Sequence, residues 1–306
     1  MLKYAVKRIL QLIPMLLILS VIVFSIVHLI PGDPVSNMLG PDVPSEMVEA
    51  EKERLGLNDP LPVQYINYMK GLFTGDMGTS IVTGKPVAEE LAKRYPPTLI
   101  LAVGGTVVAA LIGVLFGIIA AVNHNKFVDN LLMVLSLTSV STPSFFLALI
   151  LMLVFCLQLK WLPSIGLKSP LHAILPVFTL GITAVGFITR TTRSAMLDVI
   201  NQDYIRTSRS RGVPKRVITY VHAFRNALIP VTTAVGLRFG SLLAGATLVE
   251  TVFSIPGVGR FLVDGVLKRD YPVVQGTILV LAVTFVVVNT VIDLLYAAVD
   301  PRIKYD

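Results

Sequence analysis

The chain has 306 residues, 54% of them hydrophobic and 15% charged, and a mean hydropathy of +0.76. Soluble domains carry about 25% charged residues, so a water-solvated globule is excluded and the bilayer is the expected solvent. The net charge of +7 and pI near 9.5 are accounted for by basic residues gathered on one membrane face, and nucleic acid is not needed to explain them.

Apolar stretches of about 18 residues or more read as membrane spans. In chain order they are Ile9 to Ile30, Leu99 to Val122, Leu131 to Leu159, the short and Gly-rich Ala173 to Ile188, Leu228 to Val252, and Val273 to Val299, six in all. The first follows Lys3, Lys7 and Arg8, but its run is too long for a signal peptide and no small-residue cleavage site follows, so it reads as an uncleaved helix. Pro31 to Pro97 is the soluble-looking part, a small outer cap punctuated by Pro and Gly. Within it Ser45 is suited to cap a helix ending at Gly56, Gln64 to Phe73 is helical, and Pro86 suits the first position of a helix through Lys93.

Further along, Pro143 and Pro176 are expected to bend or break the third and fourth spans. Small residues four apart, Gly113 with Gly117 and Gly236 with Gly240, allow close approach of helix backbones. Cys156 lies alone inside a span and reads as a small apolar residue. Strand patterns of convincing length are missing, so the expected fold is all-α. Lys and Arg collect at the amino terminus, at Lys126, from Arg190 to Arg225, and at Arg302 and Lys304. By the positive-inside rule these face the cytoplasm, with both termini.

The most polar stretch between spans runs from Asp203 to Arg216, followed by His222 to Pro230. Tyr204, Ile205 and Ser208 fall on one helical stripe, and Gly212, Val213 and Pro214 stop that helix. Lys215 to Ala227 forms a second short helix before Pro230 admits the next span. From charge alone, the island is equally an amphipathic helix on anionic lipid or a docking surface for another protein. Arg238, near the middle of span five, costs roughly 2.5 to 3.5 kcal/mol in a bilayer, so it needs a partner or a wet cavity. Asp293 in span six is one candidate partner. Glu250 and the following turn with Pro256, Gly257 and Gly259 form either an outer gate or a simple re-entrant link.

An enzyme reading finds little to stand on. Gly78 to Pro86 has two glycines and a lysine, but five residues separate the glycines, Pro86 stands where Ser or Thr is required, and no strand precedes it, so it is not a phosphate loop. His28, His124, His172 and His222 have no metal-ligand spacing, and no nucleophile constellation is present. Catalytic residues, a metal site and a bound cofactor are therefore not expected. His28 reads as an interfacial residue near the end of span one. A secondary transporter is disfavoured because a relay of intramembrane carboxylates or His and a Gly/Pro-broken repeat are expected of one, and only Asp293 remotely qualifies.

Arg206-Thr-Ser-x-x-x-Gly212 with Ala227-Leu-Ile-Pro230 resembles the EAA loop of type I ABC importer permeases. His28 to Pro34, Phe253 to Arg260, Arg269 to Gly276 and Asp293 to Arg302 resemble the dipeptide/oligopeptide branch, and together these motifs span nearly the whole chain. Arg206, Thr207 and Ser208 replace the Glu-Ala-Ala of the named motif, and the Gly-to-Pro spacing is longer, a departure associated with peptide permeases. The resemblance implies a six-helix permease organised as helix 1–30, extracytoplasmic segment 31–97, type-1 core 98–300 with coupling loop 201–226, and cytoplasmic tail 301–306. It also implies a bacterial or archaeal inner membrane, a second homologous permease, two cytoplasmic ATPase subunits that hold ATP and Mg, and an extracytoplasmic binding protein. Asp203, Tyr204, Arg206, Thr207, Ser208, Gly212, Pro214 and Pro230 then form the ATPase-coupling loop. Arg238 and Asp293 form an internal pair, or Arg238 meets the carboxylate of a translocating peptide. The expected cargo is a dipeptide or oligopeptide, with glutathione and nickel chelates as alternatives in the same importer class.

Overall fold

The computed structural model describes residues 2–29, 34–39 and 43–299, and side chains of 14–26, 28–29, 35–36, 39 and 43–291. The chain is helical, and among the described residues the only β pairing is an isolated bridge between Thr79 and Pro86. It divides into two compact units, Met1–Thr98 with Pro256–Val287, and Leu99–Ile255 with Val288–Asp306.

In the first unit α1 is Leu2–Leu29, α2 Pro34–Leu39, α3 Ser45–Arg54 and α4 Leu61–Thr74. Ser45 is the first helical residue of α3 rather than its cap. Pro44, fixed at φ −55 and ψ 139, takes that place, and its carbonyl accepts the N–H groups of Met47 and Val48. Next comes α5, Val87–Val122. The helix expected to stop at Lys93 instead continues through Pro96 and Pro97 as 36 residues. Each proline removes one bond of the helical ladder, yet the long apolar run that follows keeps the helix intact by burial.

The second unit holds most of the apolar helices. Here α6 is Phe127–Ser141 and α7 Ser144–Leu151, extended as a π-helix over Met152–Gln158. The third predicted run is thus two helices bent by 101°. Pro143 caps α7, and Thr142 before it is extended at ψ 120, as proline requires of its neighbour. The 31-residue α8 is Pro170–Ile200. Pro176 does not break it, because it lies within the first two turns, where only one ladder bond is lost.

Short α9, Asp203–Ser210, and α10, Lys215–Val217, lead through a π-turn, Ile218–Ala223, into α11, Phe224–Val252. The last helices are α12, Val258–Lys268, and α13, Tyr271–Val299. The divide between the units falls inside α5 and inside α13.

Among the described residues four helical runs, Val87–Val122, Pro170–Ile200, Lys215–Val252 and Tyr271–Val291, are long and apolar enough to cross a membrane, and the bent α6–α7 pair makes a fifth if it is one span. The first predicted run, Ile9 to Ile30, falls on α1, whose apolar part among the described side chains is Pro14–Ile26.

The core of the second unit is built on α8. Leu175, Leu180, Ala184 and Ile188 meet Leu101 and Ala109 of α5, Ala148 of α7, and Leu242, Ala246 and Val249 of α11. Glycines set the spacing between α5 and α8. A β-carbon on Gly117 would lie 2.4 Å from Cβ of Thr192, and one on Gly113 would lie 2.8 Å from Cβ of Ile188, so only hydrogen fits there.

The core of the first unit gathers Val87, Leu91, Val258, Phe261 and Val273. The buried Asp270 carboxylate closes its loop by accepting the Ser80 hydroxyl and the N–H groups of Ile81 and Val82. His28 joins α1 to α4 through a 3.0 Å contact with Gln64 Oε1.

Candidate functional site

Helix α9 begins where α8 ends: the Gln202 carbonyl accepts the N–H groups of Ile205 and Arg206 at 3.1 and 3.3 Å. Its far end closes with paired bonds, Val213 N–H to the Ser208 carbonyl and Gly212 N–H to the Arg209 carbonyl, the Schellman pattern. Gly212 sits at φ +76 with open space where a side chain would be. A residue with a β-carbon would be strained there by about 1–2 kcal/mol. Pro214 then caps α10.

The connection continues as helix into the next span. Lys215–Val252 is one run of 38 residues, and Pro230, expected to open the span, lies inside α11. The lost bond at Pro230 is tolerated because Ala227 and Val231 on either side are buried and hold the helix by packing.

The predicted stripe of Tyr204, Ile205 and Ser208 divides. Ile205 is buried, Ser208 half-buried and Tyr204 exposed. Consecutive helical residues lie about 100° apart, so Tyr204 cannot share the inward direction of Ile205. Ile205 packs with Ile118 and Ala121 of α5, Ala195 and Met196 of α8, and Ile218, Ala223 and Ala227.

Everything else on α9 is presented outward, including Asp203, Arg206 and Thr207. Arg206 stands 3.8 Å from Asp203 with both highly exposed, a pair that contributes little. Tyr220 and Val221, 53% and 52% exposed, add apolar surface. The result is a basic surface with aromatic points, rooted in the helical body by one aliphatic side chain.

One feature escaped the sequence reading. Arg193 of α8 grips Asp129 of α6 with two bonds, Nε to Oδ1 and Nη2 to Oδ2, each 2.7 Å. Asp129 is 1% exposed and also accepts the N–H of Asn125 at 2.9 Å. His124 Nδ1 stands 3.0 Å from Arg193 Nη2. An acid in the first turn of α6 and a base inside an apolar helix are the sequence signals for this pair, and Arg193 lies within the Arg190 to Arg225 cluster of cations.

Arg238 of α11 stacks its guanidinium over the Phe187 ring of α8, 4.3 Å from the centroid, and Arg190 lies one turn further along α8. The Asp293 side chain, its predicted partner, lies outside the described residues. Glu250 is fully buried in the last turns of α11. It belongs to the second unit, whereas Pro256, Gly257 and Gly259 belong to the first. Gly257 caps α12, Gly259 is buried within it, and Pro256 is exposed.

The first unit also holds a cavity of about 380 Å³ lined in part by Phe24, His28, Gln64, Tyr68, Tyr271 and Gln275. Burial, with Tyr65 nearby, pushes the Tyr68 phenol up to about 12. Among the described residues there is no group of three or more His, Cys, Asp or Glu suited to a metal.

Apolar helices around α8, interrupted by one basic, outward-facing helical connection, define a membrane permease with the type I ABC importer fold. The chain belongs to the family described as binding-protein-dependent transport system inner membrane component, whose model matches residues 113–305, with the model for the N-terminal region of such membrane components matching residues 1–102.

Among its relatives, the glutathione transport system permease protein GsiC of Salmonella typhimurium is 46% identical over 305 residues, covering 100% of each chain. The GsiC of Escherichia coli K12 is 45% identical over the same span. The fold matches that of the MetNI methionine ABC transporter in an inward-facing conformation, with a TM-score of 0.61 at 18% identity, covering 69% of this chain and 96% of that one. The chain is thus a multi-pass permease subunit of the inner membrane and not an enzyme; ATP hydrolysis in this class lies in separate subunits.

Proposed function

We propose that this chain forms one half of the pore of an importer for short peptides, glutathione among them, and that the α8–α11 connection is where cytoplasmic ATPase subunits drive it. The observation that carries the reading is α9, an exposed basic helix whose single buried side chain, Ile205, sits among residues of α5, α8 and α11. A helix seated in a groove of a moving domain transmits displacement to the spans as a nearly rigid body. The helical run from Lys215 to Val252 and the Asp129–Arg193 clamp give that displacement a stiff route into α11 and α6.

In this reading both termini and α9 face the cytoplasm. Asp203, Tyr204, Arg206, Thr207 and Ser208 meet the ATPase, while Gly212 and Pro214 shape the corner, and Pro230 lies where the displacement enters the span. Two ATPase subunits close on ATP and Mg, move α9 and open the pore outward; hydrolysis returns it. A second, similar permease completes the pore, and residues 31–97 receive an extracytoplasmic binding protein. The turn that follows Glu250 in the chain, with Pro256, Gly257 and Gly259, is the outer gate in this reading. The cargo assignment is supported by similarity along the full length to permeases of glutathione, itself a tripeptide.

The test is uptake of labelled glutathione, di-, tri- and oligopeptides in a strain lacking only this chain. Uptake of the peptide class should vanish and return with the wild-type gene. It should not return with a gene in which residues 203–211 are scrambled, although that chain still inserts. Unchanged uptake, or ATPase subunits that still co-purify with the scrambled chain, would remove the coupling role.

A further inference from the structure

We propose that Arg238 and Arg190, with Phe187 between α8 and α11, form a carboxylate-binding subsite in the translocation path, so that the importer selects cargo by its free carboxylates. The inference rests on the importer reading above and deepens it.

Its basis is a polar stripe where a lipid-facing helix would be apolar. On α8, Thr183, Phe187, Arg190 and Ser194 recur at helical spacing, and none of them is buried. Arg238 and Ser241 sit three residues apart on α11, which packs against α8, and they too are not buried. The open face of α5, by contrast, carries Val103, Val107, Leu111 and Leu115, as a surface against acyl chains should. Polar and ionisable side chains at membrane depth face a wet cavity or a protein partner rather than lipid. The stripe therefore faces the path or a protein across it.

Within the stripe the two guanidiniums are suited to an anion. Among the described residues neither Arg190 nor Arg238 makes an ion pair, and Arg190 follows, by one helical turn of α8, the Phe187 ring on which Arg238 stacks. A carboxylate at this face meets two unpaired cations and accepts paired N–H bonds from a planar fork. Stacking on Phe187 at 4.3 Å fixes the plane of the Arg238 guanidinium and leaves its edge free to donate, an arrangement open to arginine and not to lysine. Two adjacent cations also oppose a bare metal ion as cargo.

The experiment uses the assembled transporter in vesicles, with its ATPase subunits and binding protein, and two labelled cargoes: a tripeptide with a free carboxyl terminus and the same tripeptide as its terminal amide. The quantity read is the ratio of variant to wild-type kcat/KM for each cargo, in which any preference of the binding protein cancels. R238Q should lower the ratio for the free acid by about tenfold or more while the amide falls by less than about twofold. R190Q should move the same way more weakly, and R238K should recover only part of the loss.

Equal losses for both cargoes would overturn the subsite. So would a D293N variant that reproduces the R238Q profile, since Arg238 would then serve an internal ion pair. If R238Q does not assemble, R190Q and R238K carry the comparison. A wild-type transporter that moves neither tripeptide overturns the importer reading together with this one, whereas uptake with a flat ratio overturns the subsite alone.

Discussion

Ile205 is the residue on which the proposed coupling surface depends, because it is the one buried side chain of an otherwise outward-facing basic helix. Truncating a buried isoleucine to alanine costs about 2–5 kcal/mol. In I205A the unfolding temperature in detergent should fall, and ATP hydrolysis should continue with uptake much reduced. I205V, at about 1 kcal/mol, should remain coupled; an I205A transporter with full uptake per ATP would show that α9 needs no anchor.

The Asp129–Arg193 clamp makes a second prediction at this scale. Breaking a buried pair leaves one charge uncompensated, and D129N should cost about 3 kcal/mol, near the low end because Arg193 keeps some access to water. Reversing both charges should not restore stability. An arginine at 129 has no acceptor for the Asn125 N–H that Asp129 now receives. Thermal unfolding of the two variants beside wild type decides it.

Among the helices, two glycines with different reasons for being glycine separate packing from backbone conformation. At Gly117 a β-carbon would meet Cβ of Thr192 at 2.4 Å, so a side chain there must push α5 from α8. G117L should cost about 3 kcal/mol or more and lower the yield of folded permease. At Gly212 there is open space, but φ is +76, so G212A should cost only the backbone strain of about 1–2 kcal/mol. Its effect should appear as weaker ATPase association rather than misfolding. Helix breaks follow the same logic of competing terms: Pro143 ends a helix where its neighbour Thr142 is free to extend, whereas Pro176 and Pro230 lie inside continuous helices.

At the scale of the whole molecule the coupling model stands or falls with orientation. On a C156S background, a cysteine at exposed Ser210 should react with an impermeant maleimide only from the cytoplasmic side, and one at exposed Thr83 only from the outer side. Labelling of S210C in intact cells would place α9 outside and end its role as a lever. A permease driven from one face needs its moving part and its cargo path in mechanical contact. In the second unit α8 would meet both requirements of the proposal, since it carries Arg190 and Phe187 and leads into α9.

The bilayer as solvent, the apolar helices and the basic island were determined by the sequence alone, because each depends on residues close together in the chain: a long apolar window, a cluster of cations, a Gly-Val-Pro stop. The motifs around Gly212, Pro256 and Asp270 carried the family for the same reason. Tertiary structure decided which of the charged and apolar side chains are buried and what they meet. Asp129 and Arg193 are 64 residues apart, and Ser80 and Asp270 are 190 apart, so no local pattern reports that they touch. Ile205 and Tyr204 are neighbours in sequence with opposite fates, settled by which one the ends of α5 and α8 had room to bury.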